Sequence, residues 1–473
     1  MSETPLFGLT LSHPDRGTLS EQIYAALRSR IVSGQLAAAD RLPPSRKLAT
    51  ELGVSRTTVV TAYDQLVAEG FAEGRVGSGI YVSQLGQVEN IAARVHPQTA
   101  GSQTLAQNDH PRPFMPGQPD LRLFPHREWA RCVARVSRMA PHSLVRTDDP
   151  FGDRSLRQEI CRYLYEWRGL SASLSQVLIT AGAMEGLELC ARSLIPANDA
   201  LLMENPCYPP LRNFAESLGI PIQWLEHDAQ GAVPPATNRN NRNPALTVLT
   251  PSSQFPLGGA MPLARRNAFL TWAATRGAWI VEDDYDSEFR YAGRPIPALA
   301  GLDEQERTLY VGSFAKVFSS GLRLGFVVIP TSLVTRFRET INRFGVKASA
   351  MPQRPLALLM RDGGYYRHIR RVRRVYSERR KQFIGLLRTH LGDCASFDDY
   401  QAGMHIAVRL PAHLLDTAIA SEAERSGVSC IPLSSYYAGT GEGNGLVLGF
   451  CAYTPDEMQS AMIQLRRSID SLL

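Results

Sequence analysis

Residues 84–113, QLGQVENIAARVHPQTAGSQTLAQNDHPRP, show no sustained hydrophobic period. That interruption constrains the fold more than any other feature of the sequence. Gln, Asn, Pro and Ala dominate it. A stretch this long without structure of its own is foreign to a compact domain, so it reads as a flexible tether and a domain boundary. The chain has 473 residues, more than one core organises. The tether divides it into a head, 14–83, and a body, 114–473.

The composition adds exclusions. Hydrophobic residues make up 44% and charged residues 20%, an ordinary soluble balance. No apolar run is long enough for a membrane helix. The first residues, MSETPLFGLTLSHPDRGTLS, lack a basic segment followed by an apolar one, so no signal peptide is expected. The seven cysteines are scattered without a CxxC pair, which suggests neither a metal site nor a disulfide framework. A cytoplasmic protein with free thiols is the expectation. The net charge of +6 does not sit in the head, where residues 1–83 balance eight Lys/Arg against eight Asp/Glu. It sits in Arg367–Lys381, with seven Arg and one Lys against Glu378. A solvated helix face is the favoured reading of that segment, and a second surface for DNA phosphates is the alternative.

In the head, Thr18 and Glu21 stand at capping-box spacing. Leu19, Ile23, Leu27 and Ile31 follow at intervals of four, and Gly34 closes the run. This predicts an amphipathic helix. Ser45 is expected to cap a short helix ending at Gly53, and Ser55 a second one running to about Glu69. Two helices joined by a tight Gly-containing turn make a helix-turn-helix. FAEGRVGSGIYVS then reads as strand, glycine turn, strand: a hairpin wing. Ser55, Arg56, Thr57 and Thr58 open the second helix, the end that enters the major groove in such motifs. Arginine reads guanine with two hydrogen bonds, and Ser or Thr can meet phosphate or base edges. Ser45 and Arg46 open the preceding helix, where backbone N–H groups favour phosphate. Gly77 and Gly79 would let the wing tip approach a DNA backbone. A three-helix packing module without DNA is the bland alternative, and the joint pattern outweighs it. The stretches LPPSRKLATELGVSRTTVVTAYDQLVAEGF and GSGIYV resemble the winged helix of the GntR superfamily, with Pro44 where that family usually has Ser. The resemblance implies a double-stranded DNA operator as partner.

In the body, QVLIT, ALLMEN, LTVLTP, AWIVEDD and TLYVGS read as strands. Amphipathic segments lie between several of them. The alternation predicts an α/β fold with a mostly parallel sheet and ligands near the strand C-terminal ends. Polar groups cluster where it directs attention. AGAMEG follows the first run, a small-residue turn into a helix, suited to an anion. Tyr208 follows the second, Asp283 and Tyr285 the fourth, and Ser313, Lys316 and Arg323 the fifth. One lysine, one acid, one or two aromatics and a phosphate clamp are the parts a pyridoxal phosphate site needs.

DPFGDRSLR (149–157), TAGAMEG (180–186), ENPCYPP (204–210), VEDDYDSEF (281–289) and SFAKVFSSGLRLG (313–325) resemble a type I aminotransferase domain of pyridoxal-phosphate fold type I. By that resemblance Lys316 forms a Schiff base with pyridoxal 5'-phosphate and Asp283 pairs with the ring nitrogen. Tyr285 would hydrogen-bond the ring hydroxyl, and Tyr208 would stack. Ser313, Arg323 and the turn of Gly182, Ala183 and Met184 would hold the phosphate. A smaller C-terminal α+β subdomain is implied too. Head and body together resemble the MocR-like subgroup of GntR regulators. This implies a homodimer, with heads exchanged across it as one arrangement.

Three departures from the aminotransferase pattern stand out. Phe255 stands where Asn precedes Pro, although Gln254 adjoins it. Ala183 and Met184 replace polar side chains in the phosphate turn. Val447, in NGLVLGF, stands where an arginine would bind a substrate carboxylate. The expected function is a pyridoxal-phosphate-dependent transcription regulator sensing an amino acid, an amine or the cofactor itself, with slow or vestigial transamination. An active aminotransferase with an appended DNA-binding head is the alternative. A cofactor-free dimerisation domain is a weaker one.

Overall fold

A computed structural model describes residues 18–75, 78–84, 112–146, 148–196, 199–228, 230–235, 244–293, 296–345, 347–439 and 443–472. Gly77 and most of the 84–113 tether lie outside them. Packing divides the chain into two compact units, 1–107 and 108–473.

The first unit opens with the helix Leu19–Val32, begun by the expected capping box. The Thr18 amide donates to Glu21 Oε2 at 2.7 Å and the Glu21 amide to Thr18 Oγ1 at 3.4 Å. Ile23, Leu27 and Ile31 are buried along it, whereas Leu19 stays exposed. They pack with Leu48, Val59, Ala62, Tyr63 and Leu66 from the helices Ser45–Leu52 and Arg56–Ala68. Gly53 terminates the second helix and Ser55 caps the third. The strands Ala72–Arg75 and Gly79–Val82 pair antiparallel, with Arg75 opposite Gly79, and form the wing. One expectation needs correction. Ser45 is the first residue inside its helix, not its cap. Pro44 holds the cap position, and no side chain caps that end.

The second unit is built on a seven-stranded sheet. Its spatial order is Val177–Thr180, Gly325–Val328, Thr308–Ser313, Trp279–Asp284, Pro244–Leu249, Ala200–Met203 and Ile222–Trp224. Only Gly325–Val328 runs antiparallel to its neighbours; the other pairs are parallel. Strands this apolar need covering on both faces. Two large apolar clusters on the sheet and its helices provide that cover. A smaller antiparallel sheet, of Ser396–Phe397, His405–Arg409, Gly445–Gly449 and Ile431–Pro432, forms the C-terminal part. The helix Gly364–Leu391 turns Ile369, Val372, Tyr376, Phe383 and Leu387 inward, which is helical spacing for one apolar stripe.

The Arg367–Lys381 segment lies on that helix and is not uniformly solvated. Arg367, Arg370, Arg371, Arg374 and Lys381 are exposed, but Arg379 and Arg380 are buried. Arg379 pairs with Asp120 at 2.8 Å, and Arg380 pairs with Asp399. Among the described residues, no helix is long and apolar enough to cross a membrane.

Candidate functional site

The parallel strands deliver their C-terminal ends to one edge of the sheet, and the candidate residues follow from the pleat. In Trp279–Asp284, Glu282 and Asp284 take one face and meet Arg168. Its Nε lies 2.9 Å from Asp284 Oδ2, and its Nη2 lies 3.8 Å from Glu282 Oε1. Asp283 takes the other face. It is buried, and among the described residues its Oδ1 has no hydrogen-bond partner. Burial, then the nearby Asp284 and Glu204 carboxylates, push its carboxyl up to about 7, with Lys316 opposing. Such an acid lacks a donor, and a protonated ring nitrogen would supply one.

Lys316 follows the adjacent strand, where Val311 lies opposite Asp283. Its Nζ donates to the Gly117 carbonyl at 2.9 Å. Gly117 has φ +70, and a Cβ there would stand 2.5 Å from Nζ. Only glycine lets backbone come so close in that conformation. Burial lowers the Lys316 pKa, and Asp286 and Asp283 act against the fall. Lowering the cost of the neutral amine is what a nucleophilic lysine needs.

Tyr285 donates to Ser253 Oγ at 3.2 Å, and burial holds its phenol well above the ordinary range. Tyr208 precedes the helix Pro209–Ser217 and is 37% exposed. With Glu204, Thr250, Phe255 and Asp283 it lines a cavity of about 20 Å³, room for roughly one water.

Gly182, at φ +103, precedes the helix Ala183–Leu194, and no side chain caps that end. The amides of Ala183 and Met184 in the first turn suit an anion. A Cβ on Gly325 would stand 2.7 Å from the Gly182 carbonyl carbon, so the glycine after Arg323 and Leu324 lets the two segments meet. Arg323 is exposed, at φ +50, and its charge acts on Tyr208. Ser313 Oγ accepts from the Ala315 amide at 3.1 Å. This donor set fits pyridoxal phosphate: an amine, an orphaned acid, a phenol and a helix N-terminus with an arginine.

Several neighbours were not singled out from the sequence. Asp286 is buried with Oδ2 unpartnered among the described residues, and its charge acts on Lys316. Its signal was present, three residues after Asp283 in VEDDYDSEF. His405 and Gly117 carry no comparable signal, because chain separation hides their proximity to Lys316. Among the described residues, no group of three or more His, Cys, Asp or Glu is placed to hold a metal.

In the head, Ser55 Oγ accepts from the Thr58 amide at 3.1 Å and lies 2.7 Å from Thr58 Oγ1. Arg56 Nε donates to Ser45 Oγ at 3.4 Å, which links the starts of the two helices. Arg46, Arg56 and Thr57 are exposed, while Ser45 and Thr58 are half-buried. Gly79 lies under the Arg41 side chain, where a Cβ would stand 3.0 Å from Arg41 Nε.

Comparison with known proteins follows the same division. Residues 19–82 match the family of bacterial regulatory proteins, gntR family. Residues 120–464 match aminotransferase class I and II. The chain is 36% identical over 467 residues to the probable rhizopine catabolism regulatory protein MocR of Rhizobium meliloti, covering 96% of this chain and 94% of that one. It is 32% identical over 469 residues to the HTH-type pyridoxine biosynthesis transcriptional regulator PdxR of Corynebacterium glutamicum, covering 98% of each. Among solved structures, an archaeal alanine:glyoxylate aminotransferase matches with a TM-score of 0.70 and 25% identity, covering 76% of this chain and 91% of that one. The chain belongs to the MocR-like subfamily of GntR regulators: it is a helix-turn-helix transcriptional regulator whose body is an aminotransferase class I and II domain, a fold of the pyridoxal-phosphate-dependent kind.

Proposed function

We propose that this regulator carries pyridoxal 5'-phosphate as a Schiff base on Lys316 and reports the arrival of a small amine or amino acid, or of the cofactor itself, to a DNA operator. The observation that carries the reading is the pairing of a half-buried lysine, its charge disfavoured, with a buried acid whose Oδ1 has no donor among the described residues. When bound, the cofactor supplies an aldehyde carbon that exchanges one amine for another. Lys316 is the resident amine. Asp283 accepts a hydrogen bond from the ring nitrogen and keeps it protonated. Tyr285 donates to the ring hydroxyl, with Ser253 Oγ as its present partner. Tyr208 covers the ring. Ser313, Arg323 and the amides of Gly182, Ala183 and Met184 hold the phosphate.

In the same proposal, residues 14–83 are the DNA-binding domain, 84–113 the tether, and 114–473 the effector and dimerisation domain of a cytoplasmic homodimer. Arg56 reads base edges from the third helix, with Ser55, Thr57 and Thr58 beside it. Ser45 and Arg46 meet phosphate. Gly77, outside the described residues, belongs to the wing tip. Transamination is slow or absent. Val447 is 0% exposed and apolar. Arg212, an alternative carboxylate partner, already donates to the carbonyls of Tyr437 at 2.7 Å and Ser435 at 3.2 Å.

The test is a spectrum and a binding curve on one sample. Purified protein supplied with cofactor should show the absorbance band of a lysine-bound aldehyde, and Lys316→Ala should lose it. An unchanged band in that variant would assign the aldehyde to another lysine and refute the proposal.

A further inference from the structure

We infer that the ligand read at Lys316 is a primary amine with an apolar, aromatic-sized body and no carboxylate on its amino-bearing carbon. This rests on the reading that Lys316 holds the cofactor. It follows from the border formed by Phe255, which lines one cavity with Asp283, and by His405, on which the charge of Lys316 acts.

That border is aromatic and uncharged. Phe255 is ringed edge-on by Tyr208 at 5.8 Å, Tyr285 at 5.3 Å, His405 at 5.7 Å and Tyr436 at 5.3 Å. Phe255 and Leu257 pack on the buried cluster of Leu433, Tyr436 and Val447. His405 adds no charge. Its Nε2–H donates to the Pro256 carbonyl at 2.9 Å, and burial brings its pKa down to about 4, so the imidazole is neutral. Arg212 spends its guanidinium on the two carbonyls named above. Arg409, on the strand beside Val447, is exposed and paired with Asp398. Arg323 belongs to the phosphate end.

The acids that act on Lys316 are Asp286 and Asp283, and burial pushes the Asp286 carboxyl well above its ordinary range and that of Asp283 up to about 7. Asp286 Oδ2 sits across from Gly403, where a Cβ would lie 3.4 Å away. An incoming carboxylate would lose its water and gain no cationic partner. A primary amine without a carboxylate carries no such cost, and its apolar body finds aromatic edges. The discrimination thus combines an unpaired, desolvated carboxylate on the wrong ligand with a fit for the right one.

The experiment uses full-length, cofactor-loaded protein and two ligands that differ by one carboxylate, 2-phenylethylamine and L-phenylalanine. Each is titrated while the cofactor absorbance is followed. The amine should half-saturate the spectral change at a concentration about 100-fold lower, the scale on which a buried group left unpaired discriminates. Val447→Arg should narrow the gap by improving the response to L-phenylalanine. If that variant does not fold, Phe255→Leu serves, and it should weaken 2-phenylethylamine more than n-butylamine. Equal response to both ligands, preference for L-phenylalanine, or an intact band that responds to neither would overturn the inference. Failure of the underlying reading is distinguishable, because a band that survives Lys316→Ala reveals it before any ligand is added.

Discussion

The head and the body present their candidate residues in opposite ways. Arg46, Arg56 and Thr57 stand exposed at helix starts, whereas Asp283 and Asp286 are buried and act electrostatically on a largely buried Lys316. An exposed cation interacts through water and salt, so each contact is worth little alone and many are needed. A buried acid or amine has no water to fall back on, so its pKa shifts and it waits for a partner. A surface built the first way suits a long polyanion. A pocket built the second way suits one small molecule held in one orientation. The expected consequences of substitution differ accordingly.

The largest effect is expected at Lys316. Lys316→Ala should abolish the lysine-bound band and any ligand-dependent change in operator affinity, yet leave unliganded DNA binding within a few-fold of wild type. Loss of all DNA binding in a folded variant would break the separation of the two regions.

Next comes the Arg-rich helix, which repeats the contrast within itself. Removing Arg379 takes from buried Asp120 the arginine that meets its Oδ2 at 2.8 Å, while Arg122 stays on its Oδ1 at 2.8 Å. Leaving one buried carboxylate oxygen unsatisfied costs about 3 kcal/mol, readable as a shift in the denaturation midpoint. Arg370→Ala, at an exposed position, should change stability by less than about 0.5 kcal/mol. Reversing the charge at Arg370 and Arg374 together should leave the salt slope of DNA binding unchanged. A clear drop in that slope would make the exposed half of the helix a second phosphate track.

In the head the effects are smaller. Arg56→Ala should cost about 1–3 kcal/mol and relax specificity at one base position. Arg46→Ala should weaken binding to all sequences alike and flatten the salt dependence. Wild-type operator affinity in both variants would contradict the head reading.

The subtlest effect concerns pH. With its pKa raised to about 7, Asp283 contributes stability to the empty protein that is fully present below about pH 4. That contribution is lost as pH rises through about 7. A protonated ring nitrogen compensates the ionised acid, so the Tm gap between loaded and empty protein should widen from pH 5 to pH 8. Asp283→Asn should flatten that widening. A gap that ignores pH in the wild type would remove Asp283 from the cofactor's ring.

What the sequence made legible follows the range of the forces involved. The capping box at Thr18, the Ser55 cap and the five apolar strands are local patterns, and a local reading finds them. Ser45 was misplaced by one position because Pro44 takes the cap, and capping residues differ by single steps. The strand Gly325–Val328 is not among those five, and its antiparallel direction depends on partners far along the chain. The same limit applies to Phe255. Its replacement of a polar residue was visible, but its cage draws on Tyr208, Tyr285, His405 and Tyr436 from four separate segments. Arg379 and Arg380 looked like their exposed neighbours, because only the helix's packing tells a buried arginine from a solvated one.

The central claim is that Lys316 exchanges ligands in order to signal rather than to convert them. Exchange needs only an amine and a carbonyl carbon. Turnover needs the reacting C–H bond held in one orientation, and misplacement alone costs on the order of 10²-fold. The most direct measurement follows operator affinity and carbonyl product together, in one reaction with cofactor-loaded protein and saturating ligand. The account predicts a ligand-dependent change in affinity with product forming far below the enzyme median of about 10 s⁻¹. Product at or near that rate, with operator affinity unmoved, would contradict it.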